Sequence, residues 1–161
     1  MTISEGARLP DATLLIMGEA GPEPVALADK LAGRKVVLFG LPGAYTGPCT
    51  TAHVPSFIRT AEAFATKGVD EIICIAVNDP FVMKAWSEST GAAKAGITML
   101  ADADASFSKA IGMTFTLPAL GFFDRSKRYA LYAEDGVIKV FHPEPGTECS
   151  ISTGESLLAA I

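Results

Sequence analysis

Residues Leu38 to Phe57 read LFGLPGAYTGPCTTAHVPSF, an apolar strand that enters a turn and leaves it as a helix with Cys49 at its start. The strand half belongs to Lys35–Leu41 (KVVLFGL), a short β-prone run whose only charge is its first residue, the pattern of a strand buried on both faces. Pro42-Gly43 stops that strand. The helix is expected to run toward Lys67, with Pro48 suited to its first turn. Pro55 removes the hydrogen bond that would reach the carbonyl of Thr51, so a kink is predicted there.

Working outward, Glu71–Val77 (EIICIAV) and Ile97–Leu100 (ITML) repeat the buried-strand pattern. Asp79-Pro80 reads as a helix N-cap followed by proline at the first helical position, opening a segment through Phe81, Met83 and Trp86 toward Gly91. Arg128–Glu134 and Val137–His142 flank Asp135-Gly136, a two-residue hairpin signal. Ser152, with Glu155 three residues later, has the spacing of a capping box ahead of a last helix to Ile161. Strand, helix, strand, helix, strand, helix, hairpin, helix predicts an α/β fold, a central mixed β-sheet flanked by helices. Thioredoxin-like topology satisfies that order, although the order alone does not select it.

The 161 residues fit a single domain, residues 1–161, without repeat or linker. Apolar residues make up 49%, and 15 Gly and 10 Pro are scattered, which excludes disordered and collagen-like classes. The net charge of −5 comes with no basic stripe, so nucleic acid is not an expected partner. Apolar runs stay short of the ~18 residues of a membrane span, and Met1–Pro10 lacks the features of a targeting segment. A soluble cytoplasmic protein is expected. Three cysteines, an odd number without CxxC or zinc-like spacing, predict neither a disulfide framework nor a metal site.

Each cysteine therefore needs its own explanation. A helix start offers Cys49 unpaired N–H groups and partial positive charge, which favour a thiolate over a thiol. Ionisation is a limited resource: a thiol of pKa ~8.5 is already about 3% ionised at pH 7, so full ionisation gains only about 30-fold. Fast attack on a peroxide needs groups that align the O–O bond and stabilise charge on both oxygens. Thr46 offers a hydroxyl three residues before the thiol, and Pro42 can shield the pocket from water.

Pro42-x-x-x-Thr46-x-x-Cys49 resembles the active-site motif of the peroxiredoxins. FGLPGAYTGPCTTAHVPSF, VNDPFVMKAW and RSKRYALYAEDG are similar to the type II, or peroxiredoxin-V-like, subgroup of the thioredoxin-like superfamily. The resemblance runs from about Lys35 to Lys139. It implies that Cys49 is the peroxidatic cysteine, that Thr46 orients thiolate and peroxide, that Pro42 limits solvent access, and that an arginine supplies a guanidinium. The family places this arginine directly before an aromatic residue opening a strand, which selects Arg128, before Tyr129. Arg125 reads as a solvated loop charge, and Lys127 is a poorer bidentate donor. The implied activity is an antioxidant one serving cell redox homeostasis: reduction of hydrogen peroxide and small alkyl hydroperoxides. No cofactor is implied, and the reductant would be an external thiol, glutathione with glutaredoxin, or thioredoxin.

One departure concerns Gly47-Pro48-Cys49. Family members commonly have a residue with a free N–H before the cysteine, and Pro48 has none, so somewhat weaker peroxide activation is expected. His53, four residues after Cys49, suggests a Cys/His acyl-transfer enzyme. Its place on the same helix favours packing or an interface role instead. Cys74, in EIICIAV, reads as an inert buried thiol, and Cys149, in the polar segment HPEPGTECS, as a more exposed one. Relatives place a resolving cysteine near each of these positions, which makes Cys149 the first candidate and Cys74 the second, with a chain lacking an internal resolver as the third possibility. Tyr45, Phe81, Met83 and Trp86 are expected mainly in the core. The resemblance also implies a homodimer through the face near Tyr45 and the helix after Asp79. The competing reading is a non-enzymatic redox switch or partner-binding module using Cys49 oxidation.

Overall fold

The computed structural model describes residues 2–161. The chain opens with a hairpin of β1 (Thr13–Gly18) and β2 (Gly21–Ala26), followed by a short helix α1 (Leu27–Leu31). It then alternates through β3 (Lys35–Gly40), α2 (Val54–Thr66), β4 (Glu71–Ala76), α3 (Pro80–Thr90), β5 (Ile97–Ala101) and α4 (Ser106–Ala110). A small hairpin follows, β6 (Thr114–Leu117) and β7 (Phe122–Ser126), and then β8 (Tyr129–Glu134), β9 (Val137–Pro143) and α5 (Gly154–Ala160). Seven strands form one sheet in the order β2-β1-β5-β4-β3-β8-β9, with β6 and β7 paired separately.

The central strands β3, β4 and β5 run parallel, while β8 and β1 add antiparallel edges to them. This is the mixed sheet expected from the strand pattern. Strand periodicity divides the apolar residues between its two faces. Val37, Phe39 and Cys74 turn to the face covered by Phe57 and Phe64 of α2, Trp86 of α3 and Leu157 of α5. Val36, Leu38, Ile73 and Ile75 turn to the other, under Leu27 and Leu31 of α1 and Phe107 of α4. Phe39 and Phe57 stack with ring centroids 4.0 Å apart, so α2 is seated directly over β3.

Several local signals act as expected. Asp79 accepts a hydrogen bond from Val82 N at 2.9 Å, and α3 ends on Gly91 at φ +85°. Asp135 and Gly136 take φ values of +49° and +76°, the conformation a tight hairpin demands. The predicted kink at Pro55 takes the form of a π-turn, Cys49–His53, in which Val54 N–H donates to Cys49 O. With no N–H on Pro55 to reach Thr51 O, the first turn widens before α2 begins.

Other expectations are corrected. The hairpins β1–β2 and β6–β7 are additional to the expected order: Pro22 and Pro24 disguise β2, and an edge strand tolerates them because their missing N–H groups face outward. Arg125 is in β7, half-buried, and not in a loop. The cap of α5 is Thr153, whose side chain accepts from Ser156 N at 3.1 Å. Ser152 cannot serve, because it is buried and its hydroxyl donates to Glu144, while Glu155 pairs with Arg59. Met83 and Trp86 are in the core, but Tyr45 and Phe81 are 56% and 64% exposed. Tyr45 sits in a turn at φ +63° and Phe81 in the first turn of α3.

Candidate active site

Beyond the end of β3 the backbone is tied down on three sides before it reaches the cysteine. Arg125 Nη1 donates to Pro42 O at 2.9 Å, and Ala44 N–H donates to Asn78 Oδ1 at 2.9 Å. Thr46 Oγ1 donates to Gly43 O at 2.6 Å. A Cβ on Gly43 would collide with the Arg125 guanidinium, so the close approach of that side chain requires glycine. Arg125 also lies over the Phe122 ring, 5.1 Å from its centroid. Its role is to fix the Pro42–Gly43 turn, which corrects the solvated-loop reading.

Cys49 opens the π-turn and is fully buried. Trp86 Nε1 donates to Thr50 Oγ1 at 3.1 Å, joining that turn to α3. Arg128, just before β8 and only 2% exposed, spreads its guanidinium over three acceptors. Nη2 donates to Cys49 Sγ at 3.2 Å, Nη1 to His53 Nδ1 at 3.0 Å, and Nε to Thr147 O at 3.4 Å. His53 Nε2 lies 2.9 Å from Ser152 O. Burial, and next the Arg128 charge, push the His53 pKa down to about 3 against the pull of the Ser152 carbonyl. The ring is therefore neutral near pH 7, with its proton on Nε2 facing Ser152 and a lone pair on Nδ1 facing Arg128. A neutral His53 that accepts from Arg128 has no lone pair free to take a proton from Cys49, which removes the Cys/His acyl-transfer arrangement.

A cavity of about 200 Å³ is lined by Pro42, Thr46 and Arg128 on one side and by Phe115, Leu120 and Phe122 on the other. The apolar wall is the β6–β7 hairpin and the short turn between its strands. Arg128 connects this cavity to the buried sulfur. Thr46 has given its proton to Gly43 O, so its oxygen offers lone pairs to a hydroxyl in the cavity. A peroxide held there meets an acceptor from Thr46, donors from Arg128 and a sulfur in contact with the same guanidinium.

The other cysteines lie apart. Cys74 is fully buried in β4 between Phe39 and Met99, and burial, followed by the neighbouring Cys49, raises its thiol pKa. Cys149 is half-buried in the segment joining β9 to α5, its Sγ 4.0 Å from Ser152 Oγ, and burial raises its pKa also. All three thiols are free. In the same segment Glu144 accepts from Ser150 N, Ser150 Oγ, Ser152 N and Ser152 Oγ at 2.6–2.9 Å. Sequence reading gave no sign of the roles of Glu144, Asn78 or the Thr147 carbonyl. Among the described residues no cluster of His, Cys, Asp and Glu has the make-up of a metal site, and no helix is long and apolar enough to cross a membrane.

Comparison with known proteins extends over the whole chain. The Redoxin family model matches residues 4–158. The chloroplastic peroxiredoxin-2E-2 of Oryza sativa subsp. japonica is 44% identical over 99% of this chain and 73% of its own length. Peroxiredoxin-2B of Arabidopsis thaliana is 40% identical over 99% of this chain and 98% of its own. Among solved structures, reduced Prx3 from Vibrio vulnificus in complex with hydrogen peroxide superposes with a TM-score of 0.93 at 42% identity, covering 99% of both chains.

Proposed function

The chain belongs to the Redoxin family and is a peroxiredoxin, a thiol peroxidase with the thioredoxin-like fold, and we propose that Cys49 is the sulfur that attacks the peroxide. The observation that carries this assignment is the 3.2 Å hydrogen bond from Arg128 Nη2 to Cys49 Sγ beside a cavity lined by Thr46 and Pro42.

The Cys49 thiolate attacks the terminal oxygen of ROOH. An S–O bond forms to that terminal oxygen as the O–O bond breaks, the R-bearing oxygen leaves as alkoxide or hydroxide and takes a proton, and ROH departs. Sulfur is oxidised by two electrons to the sulfenic acid and the peroxide is reduced, so no metal, haem or flavin is called for. Negative charge moves from sulfur onto the leaving oxygen during this step. Arg128 is catalytic because its fork can follow that charge, having one donor already on the sulfur. Thr46 orients the incoming hydroperoxide by accepting its proton in a hydrogen bond, and Pro42 closes the cavity to water.

The substrates are hydrogen peroxide and small alkyl hydroperoxides. The volume of about 200 Å³ and the Phe115, Leu120 and Phe122 wall support that range. The sulfenic acid then condenses with a thiol, that of Cys149 in the same chain or of external glutathione, and glutaredoxin or thioredoxin restores the enzyme. Cys74 is the weaker resolver, since its raised pKa and strand position keep it a thiol with little freedom. The exposed Tyr45 and Phe81 support a homodimer through that face. Because named relatives include chloroplastic and mitochondrial forms, the cytoplasmic placement is part of the same proposal.

Mass spectrometry after one equivalent of hydrogen peroxide, with and without glutathione, tests the assignment on wild type, Cys149→Ser and Cys74→Ser. Oxidation is expected on Cys49 in all three proteins, with a Cys49–Cys149 disulfide lost only in Cys149→Ser. A Cys49 thiol left intact would refute the proposal. The alternative, a redox switch without turnover, is supported only if the reaction is scarcely faster than that of free cysteine.

A further inference from the structure

The segment that carries Cys149 is also a support of the active-site arginine. Glu144 anchors it: the Glu144 N–H donates to Arg128 O at 2.9 Å, and its carboxylate, on a residue 7% exposed, receives four hydrogen bonds. They come from Ser150 N at 2.6 Å, Ser150 Oγ at 2.9 Å, Ser152 N at 2.8 Å and Ser152 Oγ at 2.7 Å. Burial pushes this carboxyl up, but the hydrogen bonds from Ser152 and Ser150 outweigh it and leave its pKa lowered. Three of the four bonds converge on Oε2 and the fourth reaches Oε1, so both carboxylate oxygens are engaged by two residues of one short loop.

Closing the loop in this way turns two of its carbonyls inward. Thr147 O accepts from Arg128 Nε, and Ser152 O accepts from His53 Nε2, which leaves His53 Nδ1 to accept from Arg128 Nη1. Two of the three guanidinium nitrogens are thus held by the loop, one directly and one through His53. The third points at Cys49 Sγ. Cys149 lies between Thr147 and the two serines that Glu144 holds.

We propose that Glu144 is a positioning residue whose carboxylate clamps the Cys149 loop in the shape that aims Arg128 at Cys49, so that aiming the arginine and delivering Cys149 are mutually exclusive. The inference rests on the assignment of Cys49 and Arg128 above. For resolution, the Cys149 thiolate attacks the sulfur of Cys49 sulfenic acid. The S–S bond forms, the S–O bond breaks, and the hydroxide leaves as water with a proton, without net oxidation. Cys49 and Cys149 are both free thiols, with Cys149 Sγ turned to Ser152 Oγ at 4.0 Å, whereas disulfide sulfurs are about 2.05 Å apart, so closing the bond moves Cys149 and pulls the flanking Ser150 and Ser152 against the Glu144 carboxylate. Glu144 therefore speeds peroxide attack and slows disulfide closure.

That opposition of sign distinguishes a clamp from a residue needed only for folding. Glu144→Gln keeps size but removes the negative charge from all four contacts and replaces one acceptor oxygen with an NH2, so at least one of the four accepted hydrogen bonds is lost or reversed. Rapid mixing with hydrogen peroxide can follow both steps through Trp86, the single tryptophan, whose indole is bonded to the Cys49 turn. The full chain is used in wild-type and Cys149→Ser backgrounds. Glu144→Gln is expected to slow sulfenic acid formation about tenfold in both backgrounds, the size of one lost charge-assisted hydrogen bond. In the wild-type background it is expected to speed disulfide closure severalfold. If Glu144→Gln does not fold, the Ser150→Ala, Ser152→Ala double variant removes two donors and is expected to shift both steps in the same directions. Unchanged peroxide attack, a slower disulfide step, or no Cys49–Cys149 disulfide in wild type overturns the proposal. Cys49→Ser separates it from its premise: peroxide turnover that persists there refutes the nucleophile itself, whatever Glu144→Gln does.

Discussion

The turn around Cys49 and the strand around Cys74 bury their thiols equally completely, on the same face of the sheet, and treat them in opposite ways. Cys74 has Phe39 and Met99 beside it in register, and burial raises its pKa. Cys49 has a guanidinium 3.2 Å from its sulfur, itself held by a histidine and a carbonyl. Burial alone makes a thiol inert; Cys49 has what Cys74 lacks, a buried cation donating to its sulfur. The difference is one of connection: β4 keeps Cys74 inside a regular hydrogen-bond ladder, whereas the π-turn places Cys49 where β3, β8 and the loop after β9 meet.

Removing the guanidinium should make the first region behave like the second. Arg128→Ala is expected to lower the second-order rate with hydrogen peroxide by about 10²–10³-fold, the usual cost of one oriented donor to developing charge. Cys74→Ser should change that rate by less than about twofold. Competition against a catalase of known rate, or rapid mixing, measures both. A rate for Arg128→Ala within a fewfold of wild type would leave the two cysteines distinguished by something other than the arginine.

A buried polar region has a pH cost that an apolar one lacks. His53 has its pKa depressed to about 3 in the folded state against 6.5 unfolded. Below pH 6.5 the unfolded chain takes up a proton that the folded one refuses, so stability falls as pH falls toward 3 and is unaffected by this group above about pH 7.5. At pH 5 the loss is about 2 kcal/mol, from about 1.4 kcal/mol per unit. Urea unfolding at pH 7 and pH 5 should show that loss in wild type and in Cys74→Ser, and a much flatter response in His53→Gln. An equal slope in His53→Gln would mean that His53 is not held neutral.

The two regions also differ in how far they could be read from sequence. EIICIAV announces a buried strand by composition alone, and Pro42, Thr46, Cys49 and Arg128, which the fold brings together, could be singled out because short segments around them resemble family motifs. Asp79-Pro80 and Asp135-Gly136 were legible for the same local reason. What escaped is held by contacts between distant segments. Arg125 reaches Pro42 across 83 positions, and His53 reaches Ser152 across 99. Glu144 lies between two prolines in a polar stretch, where a solvated charge is the natural reading, and only the folded loop turns Ser150 and Ser152 onto it. The shift of the α5 cap from Ser152 to Thr153 has the same origin, because a serine committed to Glu144 has no lone pair aimed at the helix.

The smallest expected effect concerns the residue just before Cys49. Pro48 occupies the cap position of the π-turn at φ −61° and ψ −21°, values that threonine adopts without strain, so Pro48→Thr tests a missing donor without distorting the turn. The added N–H stands at a helix start, where a developing oxyanion is stabilised, and one such bond is worth about 0.5–1.5 kcal/mol, or two- to tenfold in rate. A cost opposes it in another quantity: losing a proline frees the unfolded chain and lowers stability by about 0.4–1 kcal/mol. The variant should therefore react faster with peroxide while unfolding at lower urea, and the two measurements together separate a catalytic donor from a rigid turn. A rate that stays level while stability drops would mean that Arg128 and Thr46 already saturate the peroxide oxygens, and that proline here serves the shape of the Cys49 turn alone.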